Sequence, residues 1–174
     1  MTREQLEHLI RAAATIANDE EIVVIGSQAI LGQFPDAPAS MRVSAEADLY
    51  PRHHPDRSDL IDGSIGELSP FHETYGYYAQ GVSPTTPFLP RGWEERLIVV
   101  QNENTRQARG LCLEVHDLLA SKAAAGREKD IDFLSEAAKH GLAQKDELLS
   151  RVTRLNAEPS LIERAQALVQ RVFS

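Results

Sequence analysis

The run EIVVIGSQAIL, residues 21–31, constrains the fold more than any other stretch of the chain. Its first part is apolar and β-branched and stops at Gly26, which reads as a buried strand. QAILGQF then reads as a short helix leading into PDAPAS, where two prolines block regular structure. SMRVSAEADLYP, residues 40–51, follows with the alternation of a second strand. Val43, Ala45, Ala47 and Leu49 share one face, and Ser44, Glu46, Asp48 and Tyr50 share the other. Further strands are predicted in ETYGYYAQGV, RLIVVQ and LCLEVH. Helices are predicted over 3–18, opened by a Thr2/Gln5 capping box, and over 55–66. SPTTPFLPRGWEER must run largely extended, with Trp93 as its anchor.

From Asp117 onward the character changes. Only helical patterns remain, broken by Gly126, Gly141 and Pro159. The expectation is an α+β fold: a mixed sheet flanked by helices over residues 1–116, then a helical region, 117–174, packed on it. A chain of 174 residues with 42% hydrophobic and 25% charged residues suits a soluble globular protein of this size. No apolar run is long enough to span a membrane, and the charged, amphipathic MTREQLEHLI does not read as a signal peptide. The lone Cys112 reads as a buried thiol in a reducing cytoplasm. A net charge of −8 argues against a broad DNA-binding surface, although a small basic pocket is compatible with it.

Three places could carry chemistry. Gly26-Ser27, at the junction of strand and helix, suits either an anion bound by backbone N–H groups and a hydroxyl or a plain serine-capped turn. Glu46 and Asp48, two residues apart on one strand face, suit either a shared divalent cation or a solvated acidic face. Asp117 is a plausible N-cap and Gly126 a plausible end of the next helix. On that helix Lys122 either snorkels beside apolar neighbours or neutralises phosphate charge. The histidines form no zinc pattern, and no Walker, G-x-G-x-x-G or G-x-S-x-G motif is present.

The order of "GS" at 26–27, "RVSAEAD" at 42–48 and "SKAAAGREKD" at 121–130 resembles the nucleotidyltransferase superfamily of the DNA polymerase β type. Within it the look is closest to bacterial AbiEii/MenT-like and related nucleotidyltransferase domains. The resemblance implies a nucleotidyltransferase-like fold and Mg²⁺ held by Glu46 and Asp48. Gly26, Ser27, Arg42, Lys122 and Arg127 would then bind nucleotide, and Asp130 would stand at a late acidic catalytic position. It implies transfer of an NMP from an NTP to a hydroxyl of an RNA (tRNA among them), a protein or a small molecule, with a toxin–antitoxin setting and an antitoxin partner. The alternative is a catalytically inactive binding or regulatory protein on the same fold. Two departures stand out. The first metal-binding position is glutamate rather than aspartate, and only Gln80 lies near the place of a third carboxylate, with Glu73 and Glu114 as poor substitutes.

Overall fold

The computed structural model describes residues 1–174 and shows an α+β fold with one five-stranded mixed sheet. It divides into two compact units, Met1–Thr86 with Leu97–Leu113, and Pro87–Arg96 with Glu114–Ser174. The junction thus lies at Leu113/Glu114, and residues 87–96 belong with the helical unit.

The first unit opens with α1 (Arg3–Ala17). Gln5 N–H donates to Thr2 Oγ1 (3.2 Å) and Thr2 N–H to Gln5 Oε1 (2.9 Å), closing the capping box. Leu6, Leu9, Ile10, Ala13 and Ala17 form its buried face. There follow β1 (Glu21–Ile25), a 3₁₀ turn (Ser27–Ala29) with α2 (Ile30–Gln33), and β2 (Glu46–Pro51). Next come α3 (Ser58–Ile65), α4 (Pro70–Tyr75), β3 (Tyr78–Gly81), β4 (Ile98–Val100) and β5 (Arg109–Cys112). The sheet order is β3-β2-β1-β5-β4. β1 runs antiparallel to β2 and parallel to β5, while β3 is parallel to β2 and β4 antiparallel to β5. This central place explains the unbroken apolar run: Ile22, Val23, Val24 and Ile25 are all buried. Cys112 is fully buried, and burial pushes its thiol up to about 12. No helix is long and apolar enough to cross a membrane.

Three local expectations need correction. β2 starts at Glu46, not at Ser40, and Val43 is 83% exposed. The Met1 ammonium donates to the carbonyls of Arg42 and Ser44, and Ser44 Oγ accepts from Glu46 N–H (3.0 Å). Those contacts turn the chain before it can join the ladder. In ETYGYYAQGV only Tyr78–Gly81 is strand, because Ser69 caps a helix with Pro70 at its first turn that runs to Tyr75. The last strand ends at Cys112, and Glu114 rather than Asp117 caps the following helix through the N–H groups of His116 and Asp117.

The second unit comprises residues 87–96 with α5 (Val115–Ala125), α6 (Glu128–Lys139), α7 (Lys145–Thr153) and α8 (Pro159–Val172). Leu89 and Pro90 are buried, whereas Trp93, the expected anchor, is only half-buried. Arg91 N–H donates to the Arg154 carbonyl (2.9 Å) and Asn156 N–H to that of Leu89 (3.2 Å). Arg96 grips the fully buried Asp117 with two bonds, Nε to Oδ2 at 2.8 Å and a second guanidinium nitrogen to Oδ1 at 2.9 Å. Arg151 reaches the same Asp117 (3.0 Å), Glu114 (2.7 Å) and Glu147 (2.7 Å). Burial pushes the Glu114 carboxyl up, but His116, by hydrogen bond and charge, and then Arg151 outweigh it and hold the group at about 2.

Arg151→Met should break this network. Removing one partner from buried charges costs about 3–5 kcal/mol, so the melting temperature should fall by about 10 °C. Because the Glu114 carboxyl is depressed from its ordinary 4.5 to about 2, its stabilisation is complete above the first value and is lost as pH falls toward the second. Thermal melts across that range should therefore show a shallower acid loss in Glu114→Gln than in the parent.

Candidate functional site

Glu46 and Asp48 alternate along β2 with the buried Ala47 and Leu49. Parallel pairing sets Tyr78 beside Glu46 and Gln80 beside Asp48, so four polar side chains gather on one face of two neighbouring strands. Tyr78 Oη donates to Glu46 Oε2 at 2.8 Å. Burial raises the Tyr78 hydroxyl, as do its bond to Glu46 and the nearby carboxylate charges, to about 12, which keeps it a donor at ordinary pH. The hydrogen-bond pattern turns the Gln80 amide nitrogen toward the acids, where it donates to Glu46 Oε1 (2.9 Å) and Asp48 Oδ1 (3.2 Å). One nitrogen touching both carboxylates shows that their oxygens converge on a common point.

The end of β1 closes this arrangement from the other side. Ile25 pairs with Asp48, so the following Gly26 lies directly against that carboxylate. Gly26 has φ 74° and ψ −177°, a region essentially confined to glycine, and a Cβ there would stand 2.4 Å from Asp48 Oδ2. Ser27 opens the 3₁₀ turn behind it. The helical stretch that follows ends at Gln33, too short for a helix dipole to attract an anion strongly. Any anion affinity of the Gly-Ser turn therefore rests on local donors such as the Ser27 hydroxyl. Arg42 sits at the turn before β2, where its Nε donates to the Ala37 carbonyl at 2.6 Å.

The remaining expected residues lie in the second unit. Asp130 is fully buried at the start of α6 and accepts from Arg127 Nε (2.7 Å) and Arg127 N–H (3.1 Å). Lys122 on α5 pairs with it at 3.4 Å and stands 5.3 Å from the Phe133 ring centre. Burial pushes the Asp130 carboxyl up, but the Arg127 hydrogen bond and the Lys122 charge win and hold it below its ordinary value. These three residues thus form one ion-paired group within their own unit.

The donor set of the first unit suits a hard divalent cation. It offers two converging carboxylates and the Gln80 carboxamide, whose oxygen would face the same point after a half-turn. No group of three or more His, Cys, Asp or Glu side chains could hold a metal, so ligands beyond Glu46, Asp48 and the Gln80 amide would have to come from substrate oxygens or water. Of the possible third acids, Glu114 is engaged in the Arg151 network and Glu73 lies exposed on α4, while Gln80 takes the place facing Asp48. The strand pattern alone does not single out Tyr78. Its signal is the two-residue spacing to Gln80, which mirrors that of Glu46 and Asp48 once the strands are paired in parallel. A cavity of about 270 Å³ opens here, lined by Glu46, Asp62, Glu67, Tyr78 and Gln80 among others.

A family model described as "Nucleotidyltransferase of unknown function (DUF6036)" matches residues 4–162. No curated protein and no solved structure matches the chain.

Gly26→Ala should lower stability and disturb the acids together. A side chain in this conformation costs of order 1–3 kcal/mol, and its Cβ collides with Asp48. Thermal melts should show Asp48→Ala recovering part of that loss in the double variant, since it removes the colliding oxygen and leaves the backbone strain. Equal losses in both backgrounds would mean that Asp48 does not rest on Gly26.

Proposed function

The chain belongs to this nucleotidyltransferase family, and from that premise we propose that it transfers a nucleoside monophosphate from an NTP to an acceptor hydroxyl, with Mg²⁺ held by Glu46 and Asp48. The observation that carries the reading is the convergence of both carboxylates on the single Gln80 nitrogen beside Gly26. Like charges about 4 Å apart repel by roughly 1 kcal/mol in water and roughly 4 kcal/mol at an effective dielectric near 20. Tyr78 and Gln80 offset that repulsion with hydrogen bonds to charged acceptors, each contributing about 1.5–3 kcal/mol. They hold the acids in place for a cation that would replace the amide proton contacts.

In the reaction, the acceptor oxygen attacks the α-phosphorus and pyrophosphate leaves. Bound Mg²⁺ would neutralise charge on the phosphate oxygens and stabilise both the attacking and leaving oxygens. Glu46 and Asp48 supply the two negative charges that select a divalent ion, and Gly26 lets the turn approach Asp48 without a side chain in the way. Ser27 offers a hydroxyl to the phosphates. Arg42 lies beside this strand, whereas Lys122 and Arg127 both pair with Asp130 in the second unit, and the proposal is built on the first-unit residues. Asp62 and Glu67 in the cavity favour an acceptor hydroxyl on a protein or a small molecule over an RNA end, whose phosphates they would repel. An NTP substrate goes with a cytoplasmic setting. The AbiEii/MenT-like motif order supports a toxin–antitoxin role with an antitoxin partner.

One observation favours the second reading, a binding or regulatory protein without turnover. Gln80 stands where a third carboxylate could accept the acceptor's proton, and an amide is no base.

Asp48→Asn tests the proposal. It is nearly isosteric and removes one charge, so without metal it should melt at or slightly above the parent temperature. Mg²⁺ with an NTP at about a hundredfold excess over its Kd should stabilise the parent by about 2.7 kcal/mol and leave Asp48→Asn unmoved. Equal indifference of both proteins would make the pair an ordinary acidic strand face. Stabilisation without any labelled product would select the binding protein.

A further inference from the structure

Directly after the Gly-Ser turn comes Gln28, a residue no motif assigns, with only 1% of its surface exposed. Its amide nitrogen donates to the Met41 carbonyl at 3.2 Å and to Ser27 Oγ at 3.1 Å. A backbone carbonyl only accepts, so the Met41 contact fixes which end of the amide faces inward. Ser27 Oγ therefore meets a donor and must accept from it, and its own proton is directed away from Gln28. That proton goes to no other group of the protein. On its far side Gln28 Oε1 is buried with no partner at all. A buried acceptor left unpaired is destabilising, and an apolar side chain of the same size would avoid it. The Met41 bond accounts for an amide at this position, and the Ser27 bond is what that amide adds at the turn.

We propose that Gln28 is a positioning residue for the phosphate turn: it holds the Ser27 hydroxyl with its proton turned outward, as a ready donor to the phosphate oxygens of a nucleoside triphosphate. The inference rests on the nucleotidyl-transfer reading and adds to it a residue that acts only through Ser27. Gln28 touches no reacting atom. Its effect is to remove a choice, since a free serine hydroxyl rotates and accepts as readily as it donates. A hydroxyl already committed as acceptor on its inner side has one role left toward an anion.

The test is a double-mutant cycle on nucleotide affinity. Each of the four ribonucleoside triphosphates is titrated with Mg²⁺ into the parent by calorimetry, and the tightest is then used with Ser27→Ala, Gln28→Met and the double variant. Gln28→Met keeps the volume and removes the orphan oxygen but also withdraws the donor from the Met41 carbonyl, so thermal melting first establishes that the variant is folded before its affinity is compared. Should it fail to fold, Gln28→Asn takes its place, keeping an amide but withdrawing it from Ser27 by one methylene. Each single variant should bind about tenfold more weakly, the scale of one hydrogen bond to a charged group. The double variant should bind no more weakly than Ser27→Ala, because without the hydroxyl Gln28 has nothing to orient. Losses that multiply in the double variant, or Gln28→Met binding like the parent, overturn the inference and leave the transfer reading intact. Parent protein that binds none of the four overturns both.

Discussion

Two carboxylates on one face of β2 impose the main demand on this structure. They repel, and three features around them answer that repulsion. Tyr78 and Gln80 on the parallel neighbour β3 donate to them, and Gly26 at the end of β1 gives Asp48 space that any side chain would fill. Each of these positions follows from the sheet order. β2 lies between β1 and β3, so its polar face receives donors from one side and a turn from the other. A strand face meant only for water needs none of this. The chain that carries this arrangement belongs to a family described as nucleotidyltransferases of unknown function.

The second unit manages its charges by a different rule. Asp117 and Asp130 are fully buried, and each is met by cations at hydrogen-bond distance, Arg96 and Arg151 for the first and Arg127 with Lys122 for the second. Losing one partner of a buried charge pair costs more than the pair contributes. Glu46 and Asp48 are only half-buried, and their neighbours on β3 donate from an amide and a phenol.

Much of this was legible in the residues. The β-branched block before Gly26 gave the central strand, and the Thr2/Gln5 box gave the first helix. Two-residue spacing placed Glu46 and Asp48 on one face. These signals are local, so no tertiary knowledge is needed to read them. What was not legible depends on distant partners. The late start of β2 follows from an N-terminal ammonium 41 residues away from the Arg42 carbonyl it binds. The role of Tyr78 needs the parallel register of β2 and β3, and the weight of Arg96 needs Asp117, 21 residues on. Gln28 looked like an ordinary helix residue because burial and amide orientation leave no trace in a sequence pattern.

Nucleotidyl transfer is defined by which phosphorus is attacked, and isotope position reads that directly. The protein would be incubated with Mg²⁺, cell extract and each NTP, labelled in one series at the α-phosphate and in another at the γ-phosphate. Nucleotidyl transfer predicts that α-label becomes fixed to an acceptor while γ-label leaves in pyrophosphate. Label fixed only from the γ-position would mean phosphoryl transfer, and no fixation from either position would mean no transfer, and both contradict the account.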